Sequence, residues 1–320
     1  MSHHPSQHLR ALSSLVLLPL ALTVAAGPAL AGTMGTYTSD ANGFDTHTYY
    51  YDDGQEVTVF DTQFVPALTT AMVNAIRAAT HSPITRVIVT HPNPDKFNGL
   101  AVLHALGAES IASQATADAM PGVNAYKKYF WVNVAKAVTE QGYPAFEPVR
   151  TTFRGTSTIR LKSGETLSLI ELKNAGVAST QTVVRIDRTG DLVVGDLVHY
   201  GSHAWLEGGI VGGAPKPDLA AWQAALAELP TLGTGNVYAG RGDVGTVAQV
   251  VAFERDYLAR ADALVSKYVA SVPLADLKDP AKAPARHAAL QAEFERQMPG
   301  LKLPYLIGYG VYGLLASKLP

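Results

Sequence analysis

Residues 87–99 read Val-Ile-Val-Thr-His-Pro-Asn-Pro-Asp-Lys-Phe-Asn-Gly. This segment is the strongest indication of the fold class in the sequence. Val87–Val89 is a short, uninterrupted apolar run, which is typical of a strand buried on both faces. His91–Lys96 then forms a polar loop, and a helix is expected from about Phe97 to Leu106. In open α/β sheets, ligands bind in loops at the carboxyl ends of the strands. The order of strand, polar loop and helix therefore predicts both a layered fold and the place of its site.

Strands and helices alternate along the rest of the chain. A β-hairpin is expected over Tyr49–Asp61, and Pro66 opens a helix at its favoured first position. Further strands are expected at Thr166–Leu172, Thr182–Ile186 and Leu192–Val194, and further helices over about 115–138, 218–229, 247–270 and 285–298. This alternation predicts an α/β fold. No repeat or long linker divides residues 32–320, so they are expected to form a single domain with a helical C-terminal part, about 247–320.

The first 31 residues have the features of a secretory signal peptide. Arg10 supplies a positive charge, Ala11–Ala26 is an almost unbroken apolar run, and Pro28–Ala31 is a small-residue cleavage site. The apolar run is shorter than the ~20 residues that a membrane-spanning helix needs, which disfavours an anchor. The mature chain is therefore expected to begin at Gly32, to be periplasmic or secreted, and to have no membrane attachment after cleavage.

The composition excludes several kinds of partner and chemistry. The chain has 25 Lys and Arg residues against 27 Asp and Glu residues, a net charge of −2, so no basic field attracts nucleic acid. It has no cysteine, which excludes disulfides, thiolate metal sites and a cysteine nucleophile. A small-molecule substrate or ligand is the expected partner. Leu301–Leu315 is apolar enough to pack against a second copy, so a homo-oligomer is left open.

Three loops carry the residues that can do chemistry. The first is the polar loop His91–Lys96, the second is Gly195-Asp196 after an expected strand, and the third is Gly240-Arg241-Gly242. Because each follows an expected strand, all three are predicted to meet at one edge of the fold. Imidazole and carboxylate groups that converge in this way are able to bind a divalent cation. His91, Asp95 and Asp196 are therefore the candidate metal ligands.

In their order and spacing, these loops resemble the metallo-β-lactamase superfamily from about Tyr49 to Asp243. The motif His91-Pro92-Asn93-Pro94-Asp95-Lys96 matches the family's H-x-H-x-D-H loop, Gly195-Asp196 matches its later Gly-Asp, and Gly240-Arg241-Gly242 matches its Gly-His-Gly. The resemblance implies an αββα sandwich in which two mixed β-sheets are flanked by helices. It also implies hydrolysis by a metal-activated water molecule.

This chain departs from the family pattern at most of the metal ligands. Asn93 and Lys96 stand where the second and third histidines of the loop would be, and Arg241 replaces the last histidine. The family's middle histidine aligns within Gly176–Thr180, where no histidine occurs. A catalytic zinc normally needs three protein ligands and a water molecule. A dinuclear zinc centre is therefore not expected, and the alternatives are one divalent metal, such as zinc, or none.

Two functions remain open from the sequence. In the first, the chain is a hydrolase with a remodelled site, in which Asp95, Lys96 and Arg241 are the catalytic residues and the two cations stabilise developing negative charge. In the second, it is a catalytically inactive protein that binds a small ligand in the former active-site cleft. There, Lys96 and Arg241 form internal ion pairs with the carboxylates.

His199 and His203 are alternative sources of the missing imidazoles. They follow shortly after Gly195-Asp196 in the chain. Their spacing of four would place them on one side of a helix, but Gly201 between them favours a loop. They are interpreted first as residues that line the pocket beside Trp205.

The signal peptide gives a direct test. Cleavage after Ala31 should leave Gly32 at the N-terminus of protein recovered from its native host, because signal peptidases cut after small residues. Mass spectrometry of the N-terminal peptide measures this. Recovery of the uncut chain from the envelope fraction would contradict the prediction.

Overall fold

The apolar run at 87–89 belongs to a buried strand in the middle of the first sheet. The computed structural model describes Met1 and residues 32–319. In this part of the chain the first sheet contains β1 (Thr33–Thr38), β2 (His47–Asp52), β3 (Val57–Phe60), β4 (Ile84–Ile88), β5 (Glu109–Ser113) and β6 (Thr151–Phe153), in that order. The strands β1 to β3 pair antiparallel, and β3 to β6 pair parallel. The loops that follow β3, β4 and β5 therefore lie at one edge.

The second sheet is also mixed. It contains β7 (Thr156–Arg160), β8 (Thr166–Glu171), β9 (Thr182–Ile186), β10 (Asp191–Gly195), β13 (Asn236–Ala239) and β14 (Gly245–Thr246). The order across the sheet is β14-β13-β10-β9-β8-β7, and β10 pairs parallel with β13. The remaining neighbours pair antiparallel. A separate hairpin is formed by β11 (Gly209–Val211) and β12 (Ala214–Lys216). Because β10 and β13 are parallel, Asp196 and Arg241 follow neighbouring strands at the same edge.

The helices occupy the outer layers. They are α1 (Pro66–Ala79), α2 (Pro94–Phe97), α3 (Leu100–Ala105), α4 (Gln114–Tyr129), α5 (Leu219–Leu232), α6 (Val247–Ser271), α7 (Leu274–Lys278), α8 (Ala283–Gln297) and α9 (Tyr305–Ser317). A π-helical turn, Phe130–Val134, continues α4. Short 3₁₀ turns lie at Ala41–Gly43 and Pro280–Lys282.

Three apolar layers hold the sheets and helices together. Between the sheets, Phe60 and Ile88 of the first pack with Val184 and Val193 of the second. The opposite face of the first sheet packs against α1, α3 and α4, and that of the second packs against α5, α6, α8 and α9. Neighbouring residues of one strand enter different layers, since side chains alternate across a sheet. The arrangement is an αββα sandwich, which confirms the predicted fold class.

The local predictions hold where a pattern is strong and fail where it is weak. The hairpin over Tyr49–Asp61 and the helix opened by Pro66 are both present. The single helix predicted over Phe97–Leu106 is wrong, because two short helices, α2 and α3, replace it. The first of them starts at Pro94, inside the predicted polar loop. The strand β1 was not predicted.

The remaining predictions concern the chain's ends. Residues 2–31 of the predicted signal peptide lie outside the described residues. Within the described residues, no helix combines the length and apolar character needed to cross a membrane. The apolar segment that left a homo-oligomer open packs inside the same chain, where Leu306, Ile307 and Val311 are buried. A homo-oligomer stays a prediction without support from that segment.

Candidate functional site

The structure brings the three predicted loops together at the edge between the two sheets. Thr90 and His91 follow β4, and α2 then carries Asp95 and Lys96. On the other sheet Asp196 follows β10 and Arg241 follows β13. Asp95, Lys96, Asp196 and Arg241 form a connected group of ion pairs, called here the ion-pair tetrad. All four of its members were named from the sequence.

Lys96 lies between the two carboxylates of the tetrad. Its Nζ atom is 2.9 Å from Asp95 Oδ2 and 2.9 Å from Asp196 Oδ1. Neither contact has hydrogen-bond angles, so the attraction is that of a compact point charge rather than of a directed bond. The Lys96 side chain is 0 % exposed and that of Asp196 is 1 % exposed. The ammonium is therefore enclosed with the carboxylates and has no access to solvent.

Arg241 bridges the same two carboxylates from the other side. Its Nη1 donates to Asp196 Oδ2 at 2.5 Å, and its Nη2 donates to Asp95 Oδ2 at 2.9 Å. Further hydrogen bonds run from Nη2 to Thr46 Oγ1 and from Nε to the Phe44 carbonyl, both at 2.8 Å. A planar guanidinium with several donors suits this arrangement, and the ammonium of a lysine would not. The contacts to Phe44 and Thr46 could not be predicted from the sequence.

The turn that presents the Phe44 carbonyl has an unusual backbone. Phe44 has φ 62° and Asp45 has φ 50°, both in the left-handed region that residues other than glycine seldom adopt. Backbone strain of this kind persists only where surrounding contacts enforce it. Here the hydrogen bond from Arg241 to the Phe44 carbonyl supplies one such contact. The turn is therefore part of the site's architecture.

The electrostatics keep all four members of the tetrad charged. Burial alone would raise the pKa of Asp95, but Lys96 and Arg241 outweigh it and hold that pKa at about 2. Burial also opposes ionisation of Asp196, yet Arg241 and Lys96 hold its pKa well below the usual range. The carboxylates in turn raise the pKa of Lys96 and of Arg241 against the effect of burial. Two positive and two negative charges therefore balance inside the protein.

His91 joins the tetrad through a chain of hydrogen bonds. Asp61 accepts bonds from the Thr90 amide at 2.7 Å and the Thr90 hydroxyl at 2.8 Å. Because that hydroxyl has only one proton, it must accept from His91 Nδ1, which lies 2.9 Å away. This places a proton on Nδ1. Nε2 has no hydrogen-bond partner, and its distance to Asp196 Oδ2 is 3.6 Å. His91 therefore turns its second ring nitrogen toward the tetrad.

Asp61 is a site residue that the sequence reasoning missed. It follows β3, is buried, and has φ 66°. Burial raises its pKa to about 6, in spite of the nearby Lys96 and the hydrogen bonds from Thr90. Its position at the end of the return strand of the hairpin was visible in the sequence, but nothing in the sequence linked it to Thr90.

The residues of this site do not fit a zinc ion of the family type. Zinc binds nitrogen and oxygen ligands at about 2.0–2.2 Å. Lys96 Nζ already lies 2.9 Å from both carboxylates, so a zinc ion at the same place would meet an ammonium group. Within residues 32–319, no group of three or more His, Asp or Glu side chains is arranged to hold a metal. Among the named ligands, His91 Nε2 and Asp196 Oδ1 lack a hydrogen-bond partner, and Asp196 Oδ1 is already paired with the Lys96 ammonium.

His199 and His203 lie in other surroundings. His199 is buried with its Nδ1 3.5 Å from Oε1 of Glu254, a residue of α6. His203 Nδ1 is 3.3 Å from the Tyr257 hydroxyl, and burial lowers its pKa to about 4. The other ring nitrogen of His199 accepts from the Trp205 amide at 3.5 Å, and no described ring contact of either histidine reaches a member of the tetrad. The structure therefore does not bring these two imidazoles to the carboxylates.

The space above the tetrad is almost filled by side chains. A cavity of about 20 Å³ remains, which is room for about one water molecule. Its wall consists of Asp95, Asp196 and Arg241 together with Asn93, Pro94, Lys127 and four aromatic residues: Phe44, Phe64, Trp131 and Trp205. The sequence predicted that His199 and His203 line this pocket beside Trp205, but of these three residues only Trp205 is in the wall.

Fold and site together define the class of protein: an αββα sandwich whose histidine–aspartate loop and Gly-Asp turn meet at the sheet edge. The family model of the metallo-β-lactamase superfamily matches residues 41–241, and the chain belongs to this superfamily. A metallo-β-lactamase from Pontibacter korlensis is similar in structure, with 17% sequence identity and a TM-score of 0.52, over 73% of this chain and 97% of that chain. No curated protein matches significantly.

A second solved structure gives the same result for the fold. It is a metallo-β-lactamase from Pseudomonas aeruginosa in a mono-zinc form, with 15% identity and a TM-score of 0.51. The similarity covers 73% of this chain and 98% of that one. At such identities the likeness shows the fold alone.

Removal of the Lys96 ammonium tests the balance of charge in the tetrad. Lys96→Ala leaves two buried carboxylates with one cation, and breaking a buried pair costs about 3–5 kcal/mol of unfolding free energy. The loss should be smaller below about pH 4, where a carboxylate can take up a proton. Urea denaturation at several pH values measures both effects.

Two further variants control the experiment on Lys96. Adding Asp95→Asn to Lys96→Ala should recover part of the lost stability, because it removes the repulsion between carboxylates. Lys302→Ala breaks the exposed pair with Asp243 and should leave stability nearly unchanged. If Lys96→Ala lowers the free energy of unfolding by no more than Lys302→Ala at neutral pH, the prediction that Lys96 stabilises the two carboxylates is wrong.

The raised pKa of Asp61 predicts a second pH effect. Between about pH 4 and pH 6, Asp61 is protonated in the folded protein but ionised in the unfolded chain. The stability that this residue contributes at low pH is therefore lost as the pH rises through that window. Asn at this position tolerates φ 66° and does not ionise. The stability of Asp61→Asn relative to the natural chain should therefore improve from pH 4 to pH 7, by up to about 3 kcal/mol. Parallel curves for the two proteins across this range would contradict the assignment.

Proposed function

We propose that this chain is an exported, metal-independent member of the metallo-β-lactamase superfamily that binds a small ligand and does not hydrolyse it. One observation carries the proposal: Lys96 Nζ lies 2.9 Å from both carboxylates that a bridging metal would need. Export rests on the signal-peptide pattern of residues 1–31.

The charges in the tetrad support a permanent replacement of the metal. Lys96 and Arg241 together supply two positive charges, which is the charge of one divalent cation. Each carboxylate has an ion pair to both cations, so neither needs a metal to offset its burial. To admit zinc, the site would have to move two buried cations away from their partners, and broken buried pairs are costly. The chain therefore gains nothing in stability from binding a metal.

A hydrolytic function is the second candidate, and one observation favours it. His91 Nε2 has no hydrogen-bond partner and lies 3.6 Å from Asp196 Oδ2, on the side where a metal-binding histidine would present its nitrogen. In this alternative His91, Asp95 and Asp196 would hold one zinc ion, while Lys96 and Arg241 would stabilise negative charge on the substrate. That role requires both cations to leave the carboxylates that they contact in this structure. The binding function leaves both cations with their carboxylate partners.

Zinc content decides between the two functions. The purified chain, equilibrated with zinc and then desalted, should retain far less than one zinc ion per chain, because Lys96 and Arg241 already occupy both carboxylates and zinc normally needs three protein ligands. The double variant Lys96→His, Arg241→His restores two family ligands and should bind zinc more tightly. Elemental analysis by mass spectrometry measures both. About one or two zinc ions per natural chain that resist a chelator would overturn the proposal and favour the hydrolase.

A further inference from the structure

The last helix, α9, packs against the aromatic wall of the cavity above the tetrad, where its Tyr309 ring meets those of Phe44, Trp131 and Trp205. The family model matches residues 41–241, so α9 lies outside the matched part of the chain. Three tyrosines, Tyr305, Tyr309 and Tyr312, are spaced by four and three residues and so lie on one face of the helix. A helix that sets residues at this spacing into a groove is a recurring mode of recognition. Here the groove and the helix belong to the same chain.

Each tyrosine makes a different contact in the cleft. The Tyr305 hydroxyl donates to Asp45 Oδ2 at 2.5 Å. The Tyr309 ring lies nearly parallel to that of Trp205, with an interplanar angle of 10° and 6.4 Å between ring centroids. It also meets the Trp131 ring at 5.4 Å and is 36% exposed, so it forms the outer cover of the cleft. The Tyr312 hydroxyl donates to Glu207 and lies 2.9 Å from the Tyr126 hydroxyl.

Glu207 is the acceptor at the inner end of the cleft. It is buried and receives the Lys127 ammonium, the Trp205 indole N–H at 3.0 Å, and the Tyr312 hydroxyl. The first two donors come from the cleft wall, whereas the third comes from α9. Without α9, one oxygen of Glu207 would lose a hydrogen bond that a ligand could replace. The same argument applies to Asp45, whose partner is Tyr305.

We propose that this cleft is a binding site for an aromatic ligand with hydrogen-bond donor groups, such as a phenol or an aromatic amine, and that α9 occupies it as an intramolecular plug. The inference rests on the proposed binding function and adds the ligand class and the control of access. It follows from what α9 supplies: a ring against Trp131 and Trp205, and hydroxyl donors for Asp45 and Glu207.

The charge around the cleft favours a cationic donor over an anion. Four carboxylates face three cations: Asp45, Asp95, Asp196 and Glu207 against Lys96, Lys127 and Arg241. The cations are already paired, and the excess charge is negative. Aromatic faces attract cations, and the Lys127 ammonium already lies 5.2 Å from the centre of the Trp205 ring, which leaves the Trp131 face for a ligand's cation. An aromatic ammonium therefore matches the wall better than an aromatic carboxylate does.

Glycines in α9 offer a way to displace the plug without truncating the chain. A Cβ atom on Gly313 would overlap the backbone of Glu207, and one on Gly310 would lie 2.8 Å from the Leu206 amide nitrogen. Gly313→Ala should therefore push α9 off the cleft. Gly308→Ala is the matched control, because its Cβ would meet only the flexible end of Gln291 at 3.0 Å. Both substitutions raise the helix propensity by the same amount.

Tryptophan fluorescence reports whether the cleft opens. The chain has three tryptophans, and in a Trp222→Phe background the signal comes only from Trp131 and Trp205, which line the cleft. Gly313→Ala should increase quenching by acrylamide several-fold, while Gly308→Ala should not. If Gly313→Ala fails to fold, Tyr309→Ala is used in its place, because it removes the ring that covers Trp131 and Trp205.

Two probes then test the ligand class on the same proteins. Tyramine carries a phenol and an ammonium group, and 4-hydroxyphenylacetate carries the same ring with a carboxylate. Tyramine should bind the opened variant roughly tenfold more tightly than the natural chain, because in the natural chain the ligand must compete with Tyr309 for the aromatic wall. The carboxylate probe should bind neither. Calorimetric titration measures both affinities.

The outcomes separate the two proposals. Unchanged quenching in a folded Gly313→Ala or Tyr309→Ala protein would refute the plug. Increased quenching with no gain in tyramine affinity, or with equal binding of the carboxylate probe, would refute the ligand class. Zinc analysis of the same samples tests the metal-independent function by itself, since a tightly held zinc ion would leave the quenching result standing.

Discussion

The structure depends on a neutral set of four charges buried between two sheets. An isolated charge in a protein interior costs several kcal/mol, and two facing carboxylates would cost more. Lys96 and Arg241 remove that cost by pairing with both Asp95 and Asp196. Because Lys96 and Asp95 come from the first sheet and Asp196 and Arg241 from the second, the tetrad also ties the sheets together. A change to any one member therefore affects the contact between the two sheets.

The kind of cation that occupies this place also determines what the cleft can do. A metal ion has open coordination positions, at which a water molecule can be bound and made nucleophilic. An ammonium and a guanidinium neutralise the same carboxylates but have no such positions. Arg241 uses its remaining donors on Thr46 and on the Phe44 carbonyl, so it is held by the protein on every side. Electrostatic balance is thus preserved by two groups that offer no coordination position to a water molecule.

Sequence patterns predicted the elements whose signals are local. The apolar run Val87–Val89 and the order of the three loops were enough to place the tetrad's four members at one edge. The two short helices around Phe97 escaped prediction, because Pro94 starts a helix inside a loop that reads as polar and irregular. The strand β1 escaped too, since Thr33–Thr38 has glycine and threonine in place of a clear apolar alternation.

Contacts between distant segments could not be predicted from the sequence. Asp61 meets Thr90 across 29 residues, and Tyr312 reaches Glu207 across 105. Nothing near Tyr305, Tyr309 and Tyr312 in the chain shows that their face of α9 will lie on Phe44, Trp131 and Trp205. Their helical spacing alone is equally typical of a helix that packs on a core.

The aromatic cleft and the tetrad are physically connected. Phe44 packs against Trp131 and Tyr309, while its carbonyl accepts from Arg241. Its neighbour Asp45 accepts from Tyr305 at the start of α9. The left-handed turn at Phe44 and Asp45 therefore joins the buried charges to the helix that covers them. A movement of α9 that released Asp45 would act on the same turn that positions Arg241, so occupancy of the cleft and the geometry of the tetrad are linked through two residues.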